Sequence, residues 1–497
     1  MPANGPEHTL RAPLPLLAVA FLGAMSALAG GYWDDAWHTE RGRDSFFIAP
    51  HIAIYAGIAA AGAALTGWAL LVAGRSGAVA VWRHRPLVLA LISVALTLAS
   101  GPIDNVWHVA FGRDAVIWSP PHMLGIAGTL GLGAAILAEL ATWPERWARS
   151  LTVVAGGLVL ASAGFSTAEY DTDVPQFDEA FYLPVLGLTT GIGLLLVRLA
   201  SDARWAATSA AVMYLGFMVA VGGFLSLVDF PPPALPLLLL PALVVDTAVR
   251  RRWSPIAGGL LFAVALHVSY VPVRNWLGDG VAFDMADVVL GGGLTAVAGI
   301  ALFALARTVD GGWTPVGLPP SATAVALVAA LLVPAVTAED AAAHDPGQGE
   351  DAGSLALRLQ SDGHDIRLDG RLRPADCTST QAVAIVVRRA GNVLRAPLTA
   401  TDCRIAGRLT VSGRGRWFVY AELRRAGRAV ESWLPITVGD GSAQISDTER
   451  YAYLPPERSS GAIKVVGGIV LYAAMAGLVV AAFILVAGGR ARPSSVS

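Results

Sequence analysis

Charged residues are scarce in this chain. They make up 14% of its 497 residues, whereas hydrophobic residues make up 55% and the mean hydropathy is +0.57. A soluble globular domain carries about 25% charged residues, so this balance excludes that class and predicts a protein embedded in lipid. The formal net charge of −2 gives no general attraction to nucleic acid. The sequence also lacks a Gly-rich phosphate loop, a nucleophile elbow and a HisGluxxHis helix.

The apolar residues are concentrated in stretches long enough to cross a bilayer, for which a helix needs roughly 20 mostly apolar residues. We therefore predict an all-α polytopic membrane protein with about 12 transmembrane helices. The first stretch has no small-residue cleavage site behind it, so we interpret it as a helix rather than a signal peptide. The predicted spans are 14–31, 50–73, 86–102, 121–141, 150–166, 181–200, 206–228, 234–249, 255–272, 284–306, 320–338 and 463–487.

Arginine residues alternate between successive loops, which indicates the orientation of the chain. The positive-inside rule places these loops in the cytoplasm, and twelve spans with both termini cytoplasmic satisfy every assignment. The other loops then face outward, including the acidic loop 167–179, which we interpret as solvated, with attraction of cations as the alternative. The cytoplasmic arginines are Arg75, Arg83, Arg85, Arg146, Arg149, Arg198, Arg204, Arg250, Arg251, Arg252, Arg307, Arg490 and Arg492.

The chain has one large polar segment, 339–460, which this topology places outside the cell. Residues 339–354 have the composition of a linker. Residues 355–460 contain short alternating runs that are typical of a small antiparallel β-sandwich. Residues 461–497 then form a C-terminal transmembrane anchor and a cytoplasmic tail, and residues 1–338 form the transmembrane helical domain.

Only two cysteines are present, Cys377 and Cys403, and both lie in the outer segment. Disulfides persist in an extracytoplasmic compartment, so we predict a bond between them, with two separate thiols as the alternative. The segment has a single histidine, His364, and no cluster that forms a metal site by itself. Structural support or docking of a partner is the expected role of this domain.

An internal sequence repeat occurs between the first and second spans and again between the third and fourth. Residues 34–51 contain Asp34, Trp37-His38, Gly42-Arg43-Asp44 and Pro50-His51, and residues 104–122 contain Asp104, Trp107-His108, Gly112-Arg113-Asp114 and Pro121-His122. The copies stand 70 residues apart until one extra residue shifts the final histidine to 71. The helix pairs 14–73 and 86–141 are therefore duplicated units.

Each copy places an Asp and a His four residues apart, which puts both on one face of a helix, and a second His starts the next helix. Two imidazoles and a carboxylate suit copper, zinc or iron, and three protein ligands leave a coordination position open. The predicted ligands are Asp34, His38, His51, Asp104, His108 and His122. The alternative is that these groups only lie at the membrane interface, with Trp37, Trp107 and Trp118 as belt residues.

Other residues of the repeat are predicted to fix the loop or to hold the ligands in place rather than to bind the ion. These residues are Arg43, Asp44, Arg113, Asp114, Trp37 and Trp107. Outside the repeat, His267 lies near the end of the ninth span with Tyr270 beside it, and we interpret it as a packed histidine, with a ligand role as the alternative.

The segments 34–38 (DDAWH), 43–47 (RDSFF) and 50–55 (PHIAIY) resemble the C subunit of the copper-dependent membrane monooxygenases that oxidise methane and ammonia. That subunit carries an Asp-x3-His pair followed thirteen residues later by His, as in Asp34, His38 and His51. Its neighbouring site has Asn-x3-His and a later His, which Asp104, His108 and His122 match with Asp in the Asn position. The resemblance covers residues 32–125 and implies one or two copper sites. The twelve spans and the outer domain depart from the family pattern.

Three functions remain open at this point. The resemblance implies a membrane oxidase that uses dioxygen on a small apolar substrate that arrives through the bilayer, alone or with further membrane subunits or copies of itself. The second is a protein that captures copper or another transition metal from a donor and transports or passes it on. The third is a metal-dependent membrane hydrolase. A transporter needs polar residues through the depth of the membrane, whereas the ionisable residues here gather near one face, which favours the oxidase.

Overall fold

The computed structural model describes residues 10–42, 47–111, 117–175, 177–278, 280–309, 350–372, 377–425, 427–439, 444–454 and 461–490. The described helices fall before residue 310 and after residue 460, with a β domain between them. They are α1 (Leu14–Arg41), α2 (Ala49–Ser76), α3 (Ala78–Arg83), α4 (Arg85–Phe111), α5 (Pro120–Ala141), α6 (Ala148–Gly164), α7 (Ala168–Asp171), α8 (Tyr182–Ala200), α9 (Ala206–Leu227), α10 (Leu239–Arg250), α11 (Pro255–Leu277), α12 (Met285–Val309) and α13 (Gly461–Arg490).

Ten helical stretches of the described chain are long and apolar enough to cross a membrane. They coincide with the first seven predicted spans, the ninth, the tenth and the last. The fifth stretch continues from α6 through a short 3₁₀ turn into α7, so it reaches from Ala148 to Asp171. The eleventh predicted span, 320–338, lies outside the described residues. The eighth differs from the prediction.

The eighth predicted span, 234–249, is helical only from Leu239, because Pro231, Pro232, Pro233 and Pro236 keep the preceding segment out of a helix. The non-helical segment and α10 together still run alongside α9. Near its end the Asp246 carboxylate accepts hydrogen bonds from the first turn of α9, from Ala207 N at 3.2 Å and Thr208 N at 2.9 Å. Near its start, Ala234 N donates to Asp171 O at the opposite end of the bundle, at 2.8 Å.

Non-helical backbone at membrane depth is tolerated where its polar groups find partners in the protein. The four prolines at 231, 232, 233 and 236 have no N–H to satisfy. Leu237 N donates to the Tyr270 hydroxyl at 2.9 Å, and Leu235 O accepts from Arg274 Nη2 at 3.3 Å. A proline-rich stretch therefore takes the place of half a helix without leaving these groups unpaired.

The two duplicated helix pairs pack through small residues, which allow the backbones to approach closely. In the first pair, a Cβ added to Gly23 would lie 2.4 Å from Gly57 O, and one added to Gly57 would lie 2.5 Å from Gly23 O. In the second pair, a Cβ on Gly128 would lie 2.0 Å from the Thr97 hydroxyl. These crossings hold α1 against α2 and α4 against α5, so the following helix returns directly beside the first.

The described chain begins and ends at the same end of the bundle. Ala12 N donates to Glu139 Oε1 at 3.0 Å, which ties the start of the chain to the C-terminal end of α5. The last helix, α13, runs parallel to α5, with Gly468 beside Pro120 and Leu478 beside Gly131. Arg307, near the end of α12, bonds Trp253 O at this same end, whereas the β domain lies at the other. The end of α12 and the β domain thus lie at opposite ends of the bundle.

The β domain is one antiparallel sheet of nine strands in the order β4-β3-β7-β8-β9-β1-β2-β6-β5. The sheet curls so that β3 and β6 meet, since a Cβ on Gly407 would lie 3.1 Å from the Ile385 side chain. The two layers of the predicted β-sandwich are thus parts of one curled sheet. The strands are β1 (Glu350–Asp362), β2 (Asp365–Arg371), β3 (Thr380–Arg389), β4 (Asn392–Pro397), β5 (Thr399–Thr401), β6 (Arg404–Thr410), β7 (Gly415–Arg425), β8 (Arg428–Val438) and β9 (Gln444–Leu454).

Alternating strand residues fill the interior of the curled sheet, including the fully buried Leu359, Ile385 and Val419. The first strand starts at Glu350, inside the segment that the composition assigns to a linker. The predicted disulfide between Cys377 and Cys403 is confirmed, and it joins the residues before β3 to the turn before β6.

The crossing of α1 and α2 predicts that Gly57→Ala is destabilising, because the added methyl group meets a backbone oxygen that cannot move without separating the helices. Overpacking of this kind costs about 1–3 kcal/mol. Gly74→Ala in the same helix is the matched control, since nothing lies within 4 Å of its added Cβ. Thermal unfolding in detergent should show a loss of stability for the first variant and none for the second. Equal transitions for both would contradict the packing.

Candidate metal centre

The residues of the first motif meet where α1 ends and α2 begins. Asp34 and His38 lie one turn apart near the end of α1, and His51 lies in the first turn of α2 behind Pro50. Their ligand atoms all lie within 4.8 Å of one another. At 28 residues, α1 is about 42 Å long, whereas the hydrocarbon core of a bilayer is about 30 Å thick. The helix is therefore longer than the hydrocarbon core, and the motif lies in its last turns.

Both imidazoles approach the same carboxylate oxygen. His38 Nε2 lies 3.2 Å and His51 Nε2 lies 3.0 Å from Asp34 Oδ1. Two ligand atoms each about 2.0–2.1 Å from one ion are about 2.9 Å apart at a right angle and about 3.3 Å apart at a tetrahedral angle. The observed distances fall in this interval, so the donor set fits a transition-metal ion.

Burial supports the same reading. The side chains of Asp34, His38 and His51 are 20%, 13% and 7% exposed. The buried Asp34 Oδ1 is paired with both imidazoles, and Nε2 of His38 and Nε2 of His51 lie within 3.2 Å of it. A cation among the three groups would take the place of these ion pairs and bind the carboxylate and both rings together.

The second motif is brought together in the same way as far as the structure describes it. His122 Nε2 lies 3.2 Å from Asp104 Oδ1. His122 lies in the first turn of α5, where Ser119 Oγ accepts a hydrogen bond from its backbone N–H and caps the helix. The side chain of His108 lies outside the described residues, so the third predicted ligand is not placed.

Both motifs line one cavity of about 160 Å³ between the two helix pairs. Its apolar wall includes Ala27, Leu28, Ile54, Ile126 and Phe165. Its ionisable wall has four carboxylates and three imidazoles, and no lysine or arginine among the described lining residues. These groups belong to Asp34, Asp35, Asp104, Glu169, His38, His51 and His122.

Imidazoles pair with two of these carboxylates, and four negative charges remain if every carboxylate is ionised and every imidazole is neutral. Ionised carboxylates are stable in a buried site only when they are paired, protonated or bound to a metal ion. Two divalent cations would neutralise the four carboxylates while the imidazoles stay neutral and act as ligands. The arrangement can therefore bind metal ions beside an apolar space in which a small molecule fits.

Two of the four carboxylates were not predicted as site residues. Asp35 Oδ2 accepts a hydrogen bond from Thr172 Oγ1 at 3.1 Å, and Glu169 Oε1 accepts one from Ile117 N at 3.3 Å. Asp35 stands next to a predicted ligand, which was the only signal for it in the sequence. Glu169 belongs to the acidic loop, and its membership of the site depends on contacts far along the chain.

The interpretation of the acidic loop as solvated is wrong for its first half. Glu169 and Asp171 are 4% and 6% exposed. Asp171 accepts a hydrogen bond from the Tyr182 hydroxyl and pairs with Arg274 at 3.4 Å. These bonds attach the loop to α8 and α11, so the loop is part of the bundle rather than of the solvent layer.

The tryptophans of the repeat pack against the bundle, where Trp37 is half-buried and Trp107 and Trp118 are buried. Trp37 stacks on Phe230 with ring centroids 5.8 Å apart, and Trp107 is buried against Phe111. Trp118 is 2% exposed and donates to Ser166 O at 2.9 Å, so it is not a belt residue. The remaining residues predicted to support the ligands lie outside the described residues: Arg43, Asp44, Arg113 and Asp114.

Three other histidines of the described residues lie away from the cavity. His267 in α11 bonds through Nδ1 to Ala263 O at 3.0 Å and does not line the cavity, as the interpretation of a packed histidine requires. His84 bonds to the buried Glu139 at 2.8 Å at the opposite end of the bundle. His364 is exposed in the turn between β1 and β2.

Fold and site define a polytopic membrane protein with a candidate metal centre at the end of the bundle that carries the β domain. Comparison with protein-family models, with curated proteins and with solved structures finds no match to this chain. The function is therefore argued from the geometry of the site and from the spacing of its motifs.

The geometry predicts that His51→Ala lowers the metal affinity of the first motif by more than the about 10–100-fold that loss of a supporting group costs. His122→Ala should remove a separate fraction of the metal, and the two losses should add if the ions are separate. His267→Ala is the control, since that ring lies away from the cavity. Metal analysis of the purified variants measures the outcome, and an unchanged content in the double variant would reject the assignment.

Proposed function

We propose that this chain is a copper-binding integral membrane protein that uses dioxygen to oxidise a small apolar substrate. The observation that carries the proposal is that two Asp-and-His motifs face one largely apolar cavity. Metal ligands and a binding space for an apolar molecule are thus adjacent. The spacing of Asp34, His38 and His51, which resembles that of the copper-dependent membrane monooxygenases, supports the same function.

The donor set favours copper, and zinc and iron suit it next. Imidazole and carboxylate bind all three ions, and copper stands highest in the affinity order of the divalent metals. One or two ions fit the number of carboxylates. Asp104 stands where the family has Asn, so the second site carries an additional negative charge.

The cavity sets the size of the substrate. An apolar cavity of about 150 Å³ accommodates a molecule the size of benzene, and the cavity here is about 160 Å³. The substrate is therefore an apolar molecule of about six heavy atoms or fewer. Such a molecule dissolves in the bilayer and reaches the bundle laterally.

Bound copper would supply the one-electron redox chemistry that activates dioxygen. In the overall reaction one oxygen atom enters a C–H or N–H bond of the substrate and the other leaves as water. Two electrons and two protons come from a membrane-soluble reductant. Leu28, Ile54 and Phe165 bind the substrate and exclude water, whereas Asp35 and Glu169 are the carboxyl groups available to hold protons at the cavity wall.

Capture of copper or another transition metal and its transfer to a partner is the alternative function. The surplus of carboxylates over cations in the cavity favours it. Transport through the bundle is less favoured, because residues 130–138 of α5, between the cavity and the other end, are all apolar. An ionisable cavity at one end of the bundle fits an enzyme or a capture protein.

We also propose that the β domain is extracytoplasmic and that both termini are cytoplasmic, on the distribution of arginines and the disulfide. Cysteines introduced at exposed positions, as Arg251→Cys and His364→Cys, should react differently with a membrane-impermeant maleimide in intact cells. Labelling of His364→Cys alone is expected. Equal labelling of both would contradict this topology.

Isotopic labelling separates the enzyme from the capture protein. With ¹⁸O₂, a reductant and a panel of small hydrocarbons, the copper-loaded protein should introduce one labelled oxygen atom per product molecule. The His51→Ala variant should lose this activity, and His267→Ala should keep it. Copper binding without incorporation into any member of the panel would favour capture.

A further inference from the structure

The β domain contacts the helical bundle beside the candidate metal ligands. Arg416 forms an ion pair with the Glu40 carboxylate, and Arg450 donates to the Glu40 backbone oxygen. Glu40 lies two residues after His38 in the last turn of α1. A helix end is held poorly by its own hydrogen bonds, so two arginines of the β domain fix the turn that carries a ligand.

A second contact is made by the loop that follows α7. Arg389 in β3 bonds Asp173 through Nη2 to Oδ1 at 2.8 Å and through Nη1 to the backbone oxygen at 2.9 Å. Arg416 N donates to Asp173 Oδ2 at 2.9 Å. Asp173 is held in the left-handed region with φ 59°. Burial raises the pKa of its carboxyl, and the Arg389 guanidinium opposes that shift.

Apolar packing reinforces the second contact. Val174 is 1% exposed and packs in a cluster with Phe418, Tyr420 and Trp433 on the outer face of β7 and β8. Ala390 N also donates to Pro175 O at 2.9 Å. The loop is thus held against the sheet by both an ion pair and apolar packing.

One hydrogen bond connects this loop to Asp35, the residue next to the candidate ligand Asp34. Thr172, directly before Asp173, donates from Oγ1 to Asp35 Oδ2 at 3.1 Å, and Asp35 is adjacent to the ligand Asp34. The β domain therefore reaches α1 by two routes. One ends at Glu40 beside His38, and the other ends at Asp35 beside Asp34.

We propose that Arg389, Arg416 and Thr172 are positioning residues of the metal centre, through which the docked β domain sets the geometry of Asp34 and His38. The inference rests on the proposed metal binding and adds a role for the β domain. The three residues act through Glu40, Asp173 and Asp35, so they change the affinity for the metal ion without touching it.

The test measures Cu²⁺ affinity by chelator competition and the electron paramagnetic resonance spectrum of the bound Cu²⁺, in the full chain. Arg389→Met and Arg416→Met should each weaken binding about tenfold, as loss of a supporting group does, and should alter the spectrum. Arg416→Lys should restore part of the affinity. Arg408→Met is the matched control, because Arg408 pairs with Asp365 on the exposed surface of the β domain.

Thr172→Val provides a second measurement that leaves the docking arginines in place. It keeps the shape of the side chain and removes the hydrogen bond to Asp35, so copper should bind several-fold more weakly while thermal unfolding stays near that of the wild type. Wild-type affinity and spectrum in Thr172→Val and in the folded arginine variants would overturn the proposal. If an arginine variant fails to fold, wild-type affinity in Thr172→Val overturns it alone. Equal binding by wild type and His51→Ala would instead reject the metal site itself.

Discussion

The burial of four carboxylates around one cavity is the constraint on which the rest of the structure depends. Carboxylates in such a place are paired, protonated or bound to a metal ion, and the described lining residues include no arginine or lysine to pair with them. Histidine is the other ionisable residue type of the wall. Two rings meet one oxygen of Asp34 at distances suited to ligands of a common ion. A metal ion bound by Asp34, His38 and His51 would account for the charge, the choice of imidazole and the convergence of donors together.

The two helix pairs that carry the sequence repeat enclose the cavity. In each pair an Asp lies near the end of the first helix, and a Pro-His sequence lies at the start of the second helix. Each pair therefore supplies part of the ionisable wall of the cavity. Close contacts between small residues keep the two helices of each pair adjacent. The β domain then completes the end of the bundle, since its arginines hold both the last turn of α1 and the loop after α7. Site and β domain form one end of the molecule.

The sequence was sufficient where structure depends on local pattern. Length and hydropathy located ten of the helices, and the compartment argument paired the two cysteines. The repeat identified five residues that the structure places around one cavity: Asp34, His38, His51, Asp104 and His122. The sequence was insufficient where the structure depends on contacts between residues far apart in the chain. Arg389 and Asp173 are 216 residues apart, and no local pattern shows that the β domain buries an acidic loop. The prolines at 231–233 were a visible sign that the eighth span is partly non-helical, but apolar composition alone does not distinguish the two forms.

The most direct measurement is an anomalous difference map from crystals of the copper-loaded protein, collected on both sides of the copper absorption edge. The expected result is a peak bounded by Asp34 Oδ1, His38 Nε2 and His51 Nε2, with a further peak beside Asp104 and His122 if the second motif binds its own ion. Because the peak is element-specific, it also separates copper from zinc and iron. A map with no peak at these side chains, from crystals shown to contain copper, would contradict the central claim.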